Sequence, residues 1–366
     1  MSGGRERGHT PRVWQERADR VRRDVAALAA TGMGVADLYA AAIRRIGDEV
    51  RADVTCWFAI DPETLVVSAV VSGEPGIPPE YEPRLAEAEY TVSEPHRFAA
   101  LAARGQGLAT LSDMPLRDRG RSTRFNSVWR PLGLDQELRV LFLADGACWG
   151  AAGMARSGPD FSPRDREFLA AVAPALAEAT RSAVRTEALR TEPGRSPAIV
   201  VVSSEGEPQA VTPGAREWQE RVDELAPGRF RVMMQLMASG ARSAHAAVFR
   251  AKLRDAHGAW AVLEASPLLG GDDQQVAVHI EPATGDHLLG LMLAAYGLSP
   301  RERDICGQVI AGYSTAEIAA HLFISAHTVQ DHLKSIFAKA GVRSRGELAA
   351  RLRPATADGS AAFSPR

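Results

Sequence analysis

The chain has 366 residues, of which 45% are hydrophobic, and its 43 Lys and Arg against 45 Asp and Glu give a formal net charge of −2. This length predicts two or three domains, and the balanced charge excludes a general attraction for nucleic acid. With no apolar run near the ~20 residues of a membrane span and only three cysteines without metal-ligand spacing, we expect a cytoplasmic protein with no cleaved leader and no membrane partner.

Residues 12–30 predict an amphipathic helix. Its apolar positions recur at alternating four- and three-residue steps, at Trp14, Ala18, Val21, Val25 and Leu28. This is the spacing of a coiled-coil seam, although two heptads are short for one. Two alternatives therefore stay open. The seam pairs two chains in a homodimer, or it packs against the following domain.

Residues 33–190 predict an α+β domain that closes with a helix running from Phe161 towards residue 190. Four segments predict strands, namely Asp53–Ile60, Leu65–Ser72, Glu137–Ala144 and Cys148–Ala155. Asp145-Gly146 between the last two is typical of a tight hairpin. This order resembles a GAF sensor domain. The resemblance implies an antiparallel sheet with helices on one face and an effector pocket on the other.

Within this domain, apolar and aromatic side chains are the candidates for an effector pocket. The candidates are Cys56, Phe58, Phe125, Trp129, Phe142 and Trp149. An unknown small molecule or a partner protein would be the effector. The alternative is that these side chains form an ordinary core, because a large apolar pocket is only a default expectation.

The cysteines raise a second possibility, a thiol redox enzyme or redox sensor on the GAF-like fold. Cys56 and Cys148 would have to lie close together with accessible thiols. Their sequence neighbours are apolar or aromatic, and such surroundings raise a thiol pKa and make it inert. Cys306 is expected in the core of its helix. Since the chain contains no motif for catalysis, phosphate binding or metal binding, we expect no enzymatic activity, cofactor or metal.

Residues 197–283, beyond a linker at Arg190–Ser196, predict a second α+β unit. Its strands are predicted at Ala198–Ser203, Ala246–Leu253, Trp260–Ala265 and Gln275–Glu281, with helices at Gly214–Val222 and Phe230–Ser239. A strand, two helices and a three-stranded meander resemble a PAS domain. Fewer strands are predicted at the start of this segment than a PAS domain has there.

Residues 287–353 predict four short helices. Ser299, Ser314 and Ser344 each open the Ser-x-x-Glu pattern of a capping box, in which serine and glutamate bond to the backbone of the first turn. After a cap at Ser325, the third helix has a buried stripe at Val329, Leu333, Ile336, Phe337 and Ala340. Its opposite face is polar. Two helices, a tight turn and a polar second helix predict a helix-turn-helix.

This region resembles the LuxR-type DNA-binding domain, a four-helix variant of the helix-turn-helix. The matching residues include the Ser-Pro-Arg-Glu at 299–302, Glu317-Ile318-Ala319, Ile324-Ser325, Thr328-Val329, His332-Leu333 and Ile336-Phe337. The resemblance implies that the third helix enters the major groove of double-stranded DNA, that the fourth dimerises, and that RNA polymerase is a candidate partner. The DNA-binding candidates are Ser325, His327, Thr328, Gln330, Asp331, Lys334, Lys339, Arg343 and Arg345.

Two features distinguish this copy of the domain. Residues 326–353 contain six basic side chains and two acidic ones, a local net charge of +4 on a nearly neutral chain. At the position after Thr-Val, where the family frequently has lysine, the chain has Gln330 followed by Asp331. Glutamine can bond to adenine and aspartate can accept from cytosine. We therefore expect an unusual base preference and a weaker phosphate contribution.

The sequence as a whole predicts a multidomain transcriptional regulator, with GAF-like and PAS-like sensor domains, an all-α helix-turn-helix domain and a disordered tail at 354–366. The helix Leu288–Tyr296 is expected to relay the state of the sensor to the DNA-binding domain. Because no receiver signature is present, the switch is expected to be a ligand or partner rather than aspartate phosphorylation. A constitutive DNA-binding protein that uses its sensor folds only for assembly is the other alternative.

Overall fold

The computed structural model describes residues 11–90, 94–188, 198–224, 227–243, 248–270, 274–283 and 285–352. The predicted linker Arg190–Ser196 and the predicted tail 354–366 lie outside these residues. The described chain forms two α+β domains followed by a helical domain, which confirms the predicted fold class. None of its described helices combines the length and the apolar character needed to cross a membrane.

The first domain is a five-stranded antiparallel sheet in the order β2-β1-β5-β4-β3, covered by helices on both faces. Its strands are β1 (Val54–Ile60), β2 (Val67–Ser72), β3 (Leu108–Thr110), β4 (Gln136–Ala144) and β5 (Ala147–Arg156). Its helices are α1 (Pro11–Ala30), α2 (Val35–Gly47), α3 (Glu82–Tyr90), α4 (Phe98–Ala103), α5 (Leu116–Arg119) and α6 (Pro163–Ala188). The four predicted strands are confirmed, and only the three-residue β3 was missed.

The β4–β5 hairpin turns where the sequence predicts it. Asp145 and Gly146 both have a left-handed backbone, with φ of 50° and 74°, as a two-residue hairpin turn requires. Further along β5, Gly150 faces the Tyr39 hydroxyl, which a Cβ at this position would approach to 2.2 Å. Tyr39 itself donates to the Phe58 carbonyl at 3.3 Å. Only glycine therefore lets α2 pack this closely on the sheet.

The apolar stripe of α1 packs against other elements of the same chain. Ala18, Val21 and Val25 are at most 2% exposed and belong to the same core as α6. Of the two alternatives for the predicted seam, packing against the domain is therefore confirmed. A homodimer built on this seam is not supported, because the side chains that would pair already contact α6.

The second domain repeats the strand order of the first. Its sheet runs β7-β6-β10-β9-β8, formed by β6 (Ala198–Val202), β7 (Pro208–Val211), β8 (Phe249–Arg254), β9 (Trp260–Pro267) and β10 (Val276–Pro282). The helices α7 (Pro213–Asp223) and α8 (Arg229–Ser243) lie between β7 and β8 along the chain. The predicted shortage of early strands is wrong. β7 is short and begins with a proline after a turn, so it lacks a clear sequence signal. The predicted starting residue of β8, Ala246, lies outside the described residues.

The two domains share a packed interface. Helix α3 packs against α8 and β2 against β8, and Val66, Val67, Val70 and Ala86 belong to the apolar core of the second domain. This contact explains why β2 is hydrophobic on both faces.

Two basic side chains of β8 join the domains as well. Lys252 of β8 donates to Asp61 at 3.1 Å and to Glu63 at 2.7 Å. Arg254 forms a buried ion pair with Glu187 of α6. The Glu63 carboxylate also lies against Gly290, where a Cβ would come within 1.7 Å of its oxygen.

The third domain comprises α9 (Gly285–Ala295), α10 (Pro300–Ile310), α11 (Thr315–Leu322), α12 (Ala326–Ala340) and α13 (Arg345–Leu352). Helix α9 covers most of the predicted relay segment Leu288–Tyr296. It packs against α6 of the first domain and against α10 and α13. Helix α9 thus joins the helical domain to the sensor core.

Candidate DNA-binding surface and sensor cavity

The predicted capping boxes organise the helical domain. The Ser299 hydroxyl accepts from the Glu302 N–H at 3.3 Å, and the Glu302 carboxylate accepts from the Ser299 N–H at 2.7 Å. The box of Ser314 and Glu317 has the same geometry. These two predictions are confirmed. The third box is half formed, because the Glu347 carboxylate accepts from the Arg343 N–H instead of from its own capping serine.

Helix α12 has the two predicted faces. The Ser325 hydroxyl caps it by accepting from the Thr328 N–H at 3.0 Å. Val329, Leu333, Ile336 and Ala340 are buried. The polar side chains opposite them are exposed, namely His327, Thr328, Gln330, Asp331 and Lys334. Together with Ser325, these form one continuous surface on the first half of α12, which we call the α12 face.

Asp331 lies at the centre of the α12 face between two basic groups. Its carboxylate accepts from Lys334 at 3.1 Å and lies 3.5 Å from the His327 ring nitrogen. The hydrogen bond from Lys334 is the main reason that the pKa of Asp331 lies below its ordinary value. The lysine ammonium is therefore held against a neighbouring carboxylate, and contact with a phosphate would have to compete with that pair.

The three other DNA-binding candidates lie outside the α12 face. Lys339 donates to Glu302 at 2.7 Å, so it ties α12 to the cap of α10. Arg345 donates to the Tyr313 carbonyl at 2.8 Å and to Thr315 at 2.7 Å. Both side chains have contacts that hold the domain together. Arg343 is exposed just before α13.

Phe323 has an unusual backbone conformation that no sequence pattern indicates. This residue ends α11 with φ of 53°, in the turn that precedes the α12 face, and 94% of it is exposed. A left-handed backbone at the end of a helix is ordinarily provided by glycine or asparagine. A bulky residue in this conformation is strained.

A cavity of about 280 Å³ lies on the face of the first sheet that is turned away from α1 and α6. Of the predicted pocket residues, Cys56, Phe58 and Trp129 line it. Phe125 packs beside Val128 and Trp129 and is not part of the lining.

The assignment of Phe142 and Trp149 to the pocket is wrong, because both belong to the core on the opposite face of the sheet. The Phe142 ring lies 5.1 Å from Trp57 and 6.0 Å from Tyr39, between ring centroids. Successive side chains of a strand alternate between the two faces. Phe58 therefore lines the cavity while Trp57 and Phe142 face the helices.

One wall of the cavity contains buried ion pairs that the sequence analysis missed. Arg124 donates to Glu137 at 2.8 Å and lies 3.4 Å from Glu94. Burial opposes ionisation of Glu137, but Arg124 and Arg139 together outweigh it and hold the pKa of this carboxyl below its ordinary value. Arg139 pairs with Glu89 at 2.5 Å. Charged side chains on alternate positions of β4 look like a solvated face in the sequence, and only the covering helices bury them.

The two sensor cysteines do not form a redox pair. Burial raises the pKa of both thiols, that of Cys148 to about 12. Cys56 pairs across the sheet with Gly153. Because Cys148 lies five residues from Gly153 along β5, the two cysteines are ~16 Å apart along the strands. Cys306 is buried in its helix as predicted. Within the described ranges, no group of His, Cys, Asp and Glu could hold a metal ion.

The model for bacterial regulatory proteins of the luxR family matches residues 297–352. The spore germination protein GerE of Bacillus subtilis is 36% identical over 55 residues, which are 15% of this chain and 74% of that protein. Through this region the chain belongs to the luxR family of bacterial regulatory proteins.

Two further relatives match a part of this chain. The probable HTH-type transcriptional regulator GfsR of Streptomyces halstedii is 35% identical over 81 residues, 21% of this chain and 33% of that protein. A putative HTH-type transcriptional regulator of Mycobacterium tuberculosis is 47% identical over 51 residues, 14% of this chain. The chain spans only 6% of the length of that mycobacterial relative.

The chain is also similar to solved structures at low identity. The phycoerythrobilin-bound GAF domain of a cyanobacterial phytochrome has 13% identity and a TM-score of 0.32, over 45% of this chain and 95% of that chain. Escherichia coli SdiA has 13% identity and a TM-score of 0.27, over 91% of this chain and 95% of that chain.

Proposed function

We propose that the protein is a transcriptional regulator that binds double-stranded DNA through the α12 face under the control of its sensor domains. The observation that carries this proposal is the exposure of a continuous polar face on the second helix of the helix-turn-helix, in a chain of the luxR family. The local net charge of +4 supports it, because phosphate neutralisation supplies much of the affinity for DNA.

Each side chain of the α12 face has a proposed role. Gln330 reads a base edge in the major groove, where an amide can bond to adenine in two places. Lys334 neutralises a phosphate or reads guanine. Thr328 and Ser325 lie at the start of the helix, where backbone N–H groups attract phosphate. Asp331 accepts from a cytosine, or it weakens binding by holding Lys334.

The sensor region is proposed to be a GAF-like domain followed by a PAS-like one, responding to a small molecule or to a partner protein. The cavity beside β1 favours a liganded sensor over folds that serve only assembly. Because α9 contacts α6 as well as α10 and α13, a change in the sensor would bias the position of the DNA-binding domain. Dimerisation through α13, contact with RNA polymerase and a cytoplasmic location complete the proposal.

Selection of bound duplexes from a random pool, using the full chain, tests DNA binding and returns the operator. Salt titrations on the selected and on random duplexes then separate the roles. We expect Gln330→Ala to cost ~1–3 kcal/mol at one operator position. Lys334→Ala, if it removes a phosphate contact, should weaken binding to both duplexes and lower the salt slope by about one. Asp331→Ala should strengthen binding to random duplexes.

Arg117→Ala is the matched control, since Arg117 is an exposed cation on α5, outside the helical domain. It should leave affinity for both duplexes unchanged. If Gln330→Ala and Lys334→Ala also leave both affinities unchanged, the α12 face does not contact DNA and the proposal fails.

A further inference from the structure

The sensor cavity is built from two domains. Its floor is the first sheet, with Cys56 and Phe58 of β1, and α3 contributes Leu85 to its wall. Helix α8 of the second domain completes the lining with Arg229, Val232 and Leu236. A molecule in the cavity would therefore touch both domains at once, along the interface where α3 packs on α8.

Arg229 is the unusual member of this lining. It is only 7% exposed, yet no described residue forms a hydrogen bond or an ion pair with its guanidinium. The nearby Asp223 carboxylate instead accepts from the Phe230 N–H at 2.7 Å. Glu82 is the other acidic neighbour, but it makes no ion pair with Arg229, and burial raises the pKa of its carboxyl. Burial of a cation without a partner is strongly unfavourable.

The remaining arginines of the cavity have partners of their own. Arg124 is held by Glu137 and Arg139 by Glu89. Arg229 is therefore the cavity's unpaired cation among the described residues. Most of the other lining is apolar and includes Phe58, Ile77, Leu85 and Trp129. The site thus combines one unpaired cationic group with a largely apolar surface, and the Glu82 carboxyl lies in the same lining.

We propose that the cavity binds a small amphipathic carboxylate, with the carboxylate on the Arg229 guanidinium and the apolar body against the floor formed by β1. A guanidinium bonds to a carboxylate through two parallel hydrogen bonds. A volume near 280 Å³ is at the lower limit for small-molecule sites, which suits a medium-chain or bicyclic aromatic acid. The inference rests on the proposed function, since this carboxylate would be the effector that ties α8 to the first domain.

The test is calorimetric titration of the full chain with octanoate and 1-naphthoate, each compared with its neutral primary amide. We expect the acid to bind at least tenfold more tightly than the amide. Arg229→Met should weaken acid binding roughly tenfold to a hundredfold, the usual value of charge-assisted hydrogen bonds, and should leave amide binding unchanged. The matched control is Arg231→Met on the same helix, where the arginine pairs with Glu207 at the surface. The Arg231→Met variant should bind both acids with the affinity of the unaltered chain.

Several results would overturn the inference. They are no binding of either acid, equal binding of acid and amide, or full acid affinity in the Arg229→Met variant. If that variant fails to fold, the comparison of acid with amide in the unaltered chain still decides the question. Duplex selection without added acid is run in parallel. A chain that selects an operator but binds no acid retains the proposed function and refutes only this inference.

Discussion

Substitution of Glu302 by glutamine tests how the cap of α10 stabilises the helical domain. The Glu302 carboxylate accepts from the Ser299 N–H at 2.7 Å, from Ser335 at 2.6 Å and from Lys339 at 2.7 Å. Its side chain is only 5% exposed. Burial opposes its ionisation, yet hydrogen bonds led by that of Lys339 lower its pKa from 4.5 to about 2. The folded domain therefore favours the ionised form.

This pKa determines the size and the sign of the effect of Glu302→Gln on the stability of the helical domain. A carboxyl whose pKa falls from 4.5 to about 2 on folding contributes at most about 3 kcal/mol at neutral pH. Because the folded pKa is the lower one, this stability is fully present above about pH 5 and is lost as the pH falls towards 2. Glu302→Gln should remove most of the contribution at pH 7, and the difference between the two proteins should become smaller as the pH falls from 7 to 3.

The measurement is amide hydrogen exchange of residues 300–340 in the full chain between pH 7 and pH 3, corrected for the intrinsic exchange rate. Tryptophan fluorescence would not report on this domain, because the six tryptophans all precede residue 261. Glu317→Gln is the matched control, since Glu317 occupies the same position of a capping box but is exposed. Equal effects of the two substitutions, or a difference for Glu302 that does not depend on pH, would refute the reasoning.

Three further substitutions have expected outcomes. Lys252→Ala should lower the free energy of unfolding by about 2–4 kcal/mol in urea denaturation, because it leaves the buried Asp61 without its cation. The control is Arg250→Ala, which breaks an exposed ion pair of the same strand and should lower the free energy of unfolding by less than about 1 kcal/mol. Phe323→Gly should stabilise the helical domain by about 1 kcal/mol, measured by hydrogen exchange, since it removes backbone strain from an exposed residue. A loss of stability would show instead that the aromatic ring packs against the domain. Leu333→Ala should cost about 2–5 kcal/mol and abolish binding to every duplex, whereas a change in base preference alone would contradict its place in the core.

The sequence by itself determined the features that depend on residues close together in the chain. The boxes at Ser299 and Ser314, the hairpin at Asp145-Gly146 and the two faces of α12 were all predicted correctly. Each rests on a local rule, either a cap that reaches three residues or a periodic apolar pattern. The third box formed only in part, because a carboxylate on a flexible side chain can choose between two neighbouring N–H groups.

Only the tertiary structure decided which partner each side chain meets. The stripe of α1 could pair with a second chain or with α6, and Phe142 could face either side of its sheet. Lys339 could face DNA, but it contacts Glu302, which precedes it by 37 residues. Arg229 lies at the start of a helix in the second domain and completes a cavity whose floor is the sheet of the first. These choices depend on packing between segments far apart in the chain, and no local pattern of residues encodes them.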